Sequence, residues 1–219
     1  SLLVFVFFIS SAFAQSSRPG LGAGPFESGT TFRVWAPFAE SAAVAGEFND
    51  WHAAPMARDE SGGTWSLDVP GAHAGQRYKY VFNGYIWKRD PRARQVTHSS
   101  GDSVVYDPAA FDWSGDAPPP NDPNDLVIYE MHIGAFHDPV QTDQSPGTFY
   151  DAIKRLDELA EMGVNCVCVM PVHEFQGRHS WGYNPSDLFA VEQAYGGPDG
   201  FKTFVKACHQ RGIAVHLDI

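Results

Sequence analysis

Cations are scarce in this sequence. Fifteen lysines and arginines stand against 26 aspartates and glutamates, a formal net charge of −11. That balance argues against nucleic acid, whose phosphates demand Lys and Arg, and against anionic membrane surfaces. Neutral polyhydroxylated ligands remain compatible with it. Cysteine is equally sparse: Cys166, Cys168 and Cys208 are an odd number without metal-like clustering. Cys166 and Cys168 alternate within one strand pattern and so share a face, too close in sequence for an easy bridge. All three read as buried core thiols, and no metal or cofactor ligand set is legible. Long apolar runs are missing too. The stretch over 2–9 is too short for a transmembrane helix. It is followed by Ser10-Ser11-Ala12-Phe13-Ala14-Gln15, whose small-x-small step reads as a secretory signal cut after Ala14. That predicts a secreted or periplasmic protein. No charged region precedes the run, which suggests a sequence cut short at its front.

What is present is globular in composition, with 43% hydrophobic and 14% aromatic residues. Disorder is not expected for most of it. Residues 15–25 are rich in Ser, Gly and Pro and read as a linker. From Thr31 the pattern alternates, and strand signals recur over 42–45, 64–69, 77–82 and 103–106, separated by turn clusters such as Asp59-Glu60-Ser61-Gly62-Gly63. Short strands with regular punctuation and no helical period predict an immunoglobulin-like β-sandwich over about 26–110. The run Pro118-Pro119-Pro120 stiffens residues 111–125 into a Pro-rich linker and domain boundary.

Beyond it the pattern becomes β/α. Residues 126–131 form a strand pattern, and Phe149, Ile153, Leu156 and Ala160 recur at helical spacing. The segment over 164–170 is a near-continuous apolar strand. Gly197-Pro198 opens a helix that Gly212 ends, and 213–217 is another buried strand. Strands buried on both faces and joined by helices predict a parallel sheet or barrel. Two tryptophans stand at turns, in Phe48-Asn49-Asp50-Trp51 and in Asn83-Gly84-Tyr85-Ile86-Trp87. Exposed aromatic rings suit the C–H face of a sugar, with Lys79 and Asn83 as polar partners; core packing of both rings explains the pattern equally well.

Three segments carry a resemblance: Phe32-Arg33-Val34-Trp35-Ala36-Pro37, Val44-Ala45-Gly46-Glu47-Phe48-Asn49-Asp50-Trp51 and Tyr78-Lys79-Tyr80-Val81-Phe82-Asn83-Gly84. They resemble the family 48 carbohydrate-binding module, a starch- and glycogen-associated β-sandwich. The resemblance implies that Trp51, Lys79 and Trp87 contact glucan, or else that the sandwich mainly braces a catalytic domain.

The second half carries Val127-Ile128-Tyr129-Glu130-Met131-His132-Ile133-Gly134, Met170-Pro171-Val172-His173-Glu174-Phe175, Trp181-Gly182-Tyr183-Asn184-Pro185 and Ala214-Val215-His216-Leu217-Asp218. These resemble the α-amylase superfamily, glycoside hydrolase family 13. The resemblance implies the first three strands of a (β/α)₈ TIM barrel over 126–219, acting on α-glucans such as glycogen, starch and maltooligosaccharides. It also implies that Tyr183 stacks on a sugar ring and that Asp218 opens a motif continuing to Asn-His. For Asp218, a hydrogen-bond-organising role and a substrate contact stay equally open. Glu174 and Asp187 read as loop-bracing carboxylates, Glu130 and His132 as packing or polar-network residues.

A retaining glucosidase needs a nucleophilic carboxylate and a separate acid/base carboxylate about 5–5.5 Å apart. In this superfamily they come from the fourth and fifth strands, which are expected beyond Ile219. No catalytic residue is therefore assigned, and the sequence is expected to be the front part of a larger enzyme, inactive by itself. Some relatives bind calcium, but no ligands for it are legible here. The Glu-Met-His-Ile-Gly and Trp-Gly-Tyr-Asn forms resemble 1,4-α-glucan branching enzymes, which transfer an α-1,4 chain to a 6-hydroxyl with retention. The alternatives are a secreted amylase-type hydrolase, a trehalohydrolase acting on maltooligosyl trehalose, or a glucan-binding module alone.

Overall fold

The computed structural model describes residues 15–59, 62–120, 122–140 and 145–219. The leader pattern over 1–14 lies outside them. The first half holds β1 (Gly22–Phe26), β2 (Gly29–Trp35), β3 (Ala42–Gly46), β4 (Ala54–Pro55), β5 (Ala57–Arg58), β6 (Thr64–Pro70), β7 (Arg77–Phe82), β8 (Ile86–Lys88) and β9 (Ser103–Val104). They form two antiparallel sheets, ordered β1-β2-β6-β5 and β4-β3-β7-β8, with β9 also on β7. Alternation turns Phe32 and Val34 of β2, Trp65 and Leu67 of β6, Val44 of β3, and Tyr78 and Tyr80 of β7 into one core between the sheets. This is the sandwich the strand pattern predicts.

The segment over 15–25 is not the linker its composition suggests. Gly22–Phe26 pairs in register with β2, and the Ser16 amide donates to Ser66 Oγ at 3.0 Å while Arg33 donates to the Ser16 carbonyl. Pro25 is tolerated because β1 is an edge strand, where a missing N–H breaks no inner ladder.

Just after β8 a carboxylate is buried against the sandwich. Asp90 is 1% exposed and accepts from the Tyr78 hydroxyl at 2.6 Å and the Arg92 amide at 2.8 Å, with the Tyr80 hydroxyl at 3.4 Å. Burial raises the Asp90 carboxyl above its ordinary range, and the donors oppose that.

The second half holds β10 (Ile128–Met131), α1 (Ile133–Phe136), α2 (Phe149–Ile153), α3 (Leu156–Glu161), β11 (Cys166–Val169), β12 (His173–Phe175), β13 (Pro185–Val191), α4 (Gly197–His209) and β14 (Ala214–Leu217). Strands β10, β11 and β14 form a parallel sheet in that order. Met131, Val167 and Val169 pack with Phe149, Leu156, Leu159, Phe204 and Cys208 from the helices. The helix expected over 149–160 is two short ones, because Lys154 and Arg155 close i→i−3 bonds to Asp151 and Ala152 that tighten the turn. Thr148 caps α2 in a reciprocal box with Asp151. Gly196 and Gly197, both at positive φ, deliver Pro198 to the start of α4. Cys166 and Cys208 are buried, whereas Cys168 is half-buried, not the core thiol expected. It stands in register with Glu130 and His216, in a row turned away from the helices.

The antiparallel hairpin β12–β13 has no counterpart in the sequence pattern. Pro185 and Asp187 interrupt its alternation, and the register shifts twice along it. The segment after the sandwich is strapped to α4. Tyr106 donates to Asp199 at 2.7 Å, Lys202 and Lys206 donate to the carbonyls of Pro108 and Asp112, and His209 meets Asp116 at 2.9 Å.

Replacing Tyr78 by Phe deprives a buried carboxylate of its shortest donor, which is expected to lower stability by about 1–3 kcal/mol. Urea denaturation of the variant beside the parent chain checks this.

Candidate functional site

Residues two apart on a strand share a face. In the parallel sheet, Glu130, Cys168 and His216 stand side by side, and Asp218 follows His216 on that face just past the end of β14. Its amide donates to the Val169 carbonyl at 2.9 Å, so the ladder itself fixes its position. Ligands of α/β sheets bind at these carboxyl ends. Ile219 adjoins Asp218 and is 87% exposed, and its aliphatic side chain can neither donate nor accept a hydrogen bond.

Over that edge lies the loop joining β12 to β13. Gly182 has φ +91°, and a Cβ there would sit 2.1 Å from the Pro171 carbonyl oxygen, so only glycine allows this approach. Ser180 Oγ accepts from the Gly182 amide at 3.0 Å, and the Ser180 carbonyl lies 2.8 Å from His132 Nε2. The loop thereby presents Tyr183, 56% exposed, whose hydroxyl donates to Asp218 Oδ2. The hydrogen bond to that carboxylate, with the negative field of Asp218 and Glu130, pushes the Tyr183 phenol up to about 12. Tyr183 and Asp218, singled out separately in the sequence, are one unit. An open ring face beside a fixed carboxylate can stack on a sugar and accept its hydroxyls.

A second patch lies on the outer face of the β3–β7–β8 sheet. Trp51 and Trp87 come together with ring centroids 6.5 Å apart and an interplanar angle of 39°, and Trp87 is 46% exposed. Neither ring belongs to the sandwich core. Trp51 is aimed by left-handed backbone at Asp50 and Trp51 and by its own amide bonding the Gly46 carbonyl. Lys79 points out from β7 but is held by Asp102 at 2.9 Å. Asp102 was not singled out in the sequence; it is brought there by the pairing of β9 with β7. Asn83 Oδ1 accepts the Glu40 and Ser41 amides, a turn-capping duty.

Glu174 and Glu192, each 2% exposed, close the base of the hairpin. Glu192 accepts from the Phe175 and Ala194 amides, Glu174 from the Gln193 amide at 2.9 Å. Burial pushes the Glu174 carboxyl up to about 7, with Glu192 and Asp187 adding to it. Asp187 pairs with Arg89 of the sandwich at 3.1 Å. Among the described residues no group of three or more His, Cys, Asp or Glu side chains could hold a metal ion, and no helix is long and apolar enough to cross a membrane.

Residues 98–219 match the family "Alpha amylase, catalytic domain", and residues 20–110 match "Carbohydrate-binding module 48 (Isoamylase N-terminal domain)". The chain belongs to the alpha-amylase family, with a module of the second family in front of part of its catalytic domain. It is 36% identical to a malto-oligosyltrehalose trehalohydrolase of Saccharolobus solfataricus, over 88% of this chain and 33% of that protein. It is 38% identical to a 1,4-alpha-glucan branching enzyme of Xanthomonas oryzae pv. oryzae, over 87% of this chain and 28% of that protein. A pullulanase structure from Paenibacillus barengoltzii superimposes with a TM-score of 0.77 at 26% identity, covering 93% of this chain and 38% of that one. The chain thus spans about a third of the length of these relatives.

The raised Glu174 carboxyl gives a stability prediction. Between about 4.5 and about 7 the folded chain holds a proton that the unfolded chain has released. Stability is therefore expected to fall as pH rises through that window, by at most about 1.4 kcal/mol per pH unit. Glu174→Gln should flatten that slope, as read from urea midpoints at pH 5, 6, 7 and 8.

Proposed function

We propose that this chain is the front part of a secreted or periplasmic α-glucan-active enzyme, and that the enzyme is a 1,4-α-glucan branching enzyme. The observation that carries the α-glucan reading is the exposed Tyr183 ring, locked through its hydroxyl to Asp218 at the carboxyl ends of the parallel strands. A glucose ring laid on Tyr183 would bring its hydroxyls within reach of the Asp218 carboxylate. The tilted Trp51–Trp87 pair with the Lys79–Asp102 ion pair beside it supports a second glucan contact on the module, where rings cover C–H faces and the ion pair offers both a donor and an acceptor. Asp218 serves here as a substrate contact, and the covalent chemistry belongs to carboxylates supplied elsewhere in the enzyme.

The same site in a trehalohydrolase or an amylase-type hydrolase would pass the glycosyl group to water instead of a 6-hydroxyl. The relatives named above, one of each kind at 36% and 38% identity, keep that reading as the alternative.

Assay of the whole enzyme on amylose separates the two. Branching is expected to lower the iodine colour without a matching release of reducing ends and to create α-1,6 links that isoamylase cleaves. Trehalose release from maltooligosyl trehalose, or reducing ends appearing in step with colour loss, would move the assignment to hydrolysis. The 219-residue chain itself is expected to be retarded in glycogen-containing native gels without turning glycogen over. Trp51→Ala and Trp87→Ala should each weaken that retardation by about tenfold. Unretarded migration of the parent chain would leave the module a brace only.

A further inference from the structure

Three of the contacts that hold the Tyr183 loop come from its own half of the molecule: Pro171 against Gly182, His132 on the Ser180 carbonyl and Asp218 on the Tyr183 hydroxyl. A further set, where the loop runs out into β13, comes from the sandwich. Arg89 directly follows β8, the strand that carries Trp87, and its guanidinium meets Asp187 Oδ2 at 3.1 Å. The Asp187 side chain there is 8% exposed. Ser186 Oγ donates to the same carboxylate, at 2.9 Å, and lies 3.1 Å from the Glu174 carbonyl. Two residues on, the Arg92 guanidinium lies 4.4 Å over the Phe189 ring. Ala93 and Val96 of the sandwich bury Ala190 between them. Asp90, between the two arginines, is fixed by its hydrogen bonds to Tyr78 and Tyr80, so neither arginine is on a free loop.

We infer that Arg89 is a positioning residue: through Asp187 the sandwich sets the place of β13, and thereby the register in which Tyr183 meets Asp218. An ion pair with one partner largely buried is costly to break from one side, because the remaining charge is left without its partner. Removal of the Arg89 guanidinium therefore releases β13 at Asp187, four residues from Tyr183. The importance of this for glucan chemistry rests on the role proposed for Tyr183, but the positioning does not. A module that holds the rim tyrosine in place has a use even where its own glucan patch is weak.

The test uses the whole 219-residue chain with ring-labelled tyrosine. The Tyr183 NMR signal is assigned by its loss in Tyr183→Phe, and Asp218→Asn gives the position of the same signal without the carboxylate bond. Arg89→Ala is expected to move the Tyr183 signal towards the Asp218→Asn position. Arg89→Lys should restore it in good part, and Arg89→Ala should have no further effect in an Asp187→Asn background. The buried Tyr78 and Tyr80 signals report that the sandwich remains folded; if Arg89→Ala disturbs them, the Asp187→Asn variant alone carries the comparison. A Tyr183 signal unmoved in a folded Arg89→Ala or Asp187→Asn chain would overturn the inference. Because no glucan is present, that result would leave the glucan reading of Tyr183 standing. Absence of glucan binding in the gel assay would likewise leave the positioning intact.

Discussion

A carboxylate taken out of water must be given its hydrogen bonds by the chain around it, and this structure is arranged around three that are: Asp90, Glu174 and Glu192. Asp90 draws two tyrosine hydroxyls of β7 and an amide of its own turn to one point. That fixes the segment between β8 and β9, from which Arg89 and Arg92 reach the other half. Glu174 and Glu192 do the corresponding work at the hairpin base, each holding amides of the 192–195 turn or of β12. The two halves meet between these anchors, at Arg89 with Asp187 and at Arg92 with Phe189. Polar burial here serves geometry more than stability, since the carboxyls of Asp90, Glu174 and Glu192 are all raised by the cost of their own desolvation.

The join is pinned over residues 106–116. After the sandwich the chain runs past α4 under four side-chain contacts, from Tyr106, Lys202, Lys206 and His209. Three of them come from one helix at spacings of three to four residues, the face an α-helix presents in a line. The prolines over 118–120 add backbone stiffness after that strap. The Pro-rich segment read as a linker and domain boundary thus begins in a stretch held along α4.

Much of this was legible wherever one periodicity ruled. Phe32 and Val34, or Tyr78 and Tyr80, alternate so plainly that β2 and β7 follow from the sequence, and the buried run at Cys166–Val169 follows from its length. The edge strand β1 was not, because Gly and Pro are turn signals unless an unseen neighbour supplies the ladder. Nor was the hairpin, whose Pro185 and Asp187 argue locally against a strand and whose Asp187 is paired by Arg89, far off in sequence. The same limit governs the site. Trp51, Lys79 and Trp87 are legible as turn aromatics with a polar neighbour, whereas Tyr183 and Asp218 enter only through the resemblance. The Tyr183–Asp218 bond follows from the register of β11 with β14, and Asp102 reaches Lys79 through the pairing of β9 with β7. Those are long-range facts that no local pattern holds.

The two aromatic patches differ in how they are secured, and that difference bears on what each can do. Tyr183 is held through its polar end by the hydrogen bond to Asp218, and the residue is 56% exposed. In the role proposed for it, such a ring would hold one sugar in one pose. Trp51 and Trp87 are fixed through backbone and strand pairing, with rings tilted against each other and an ion pair beside them. The Arg89–Asp187 pair lies on the short path between the two patches, two residues from Trp87 on one side and four from Tyr183 on the other.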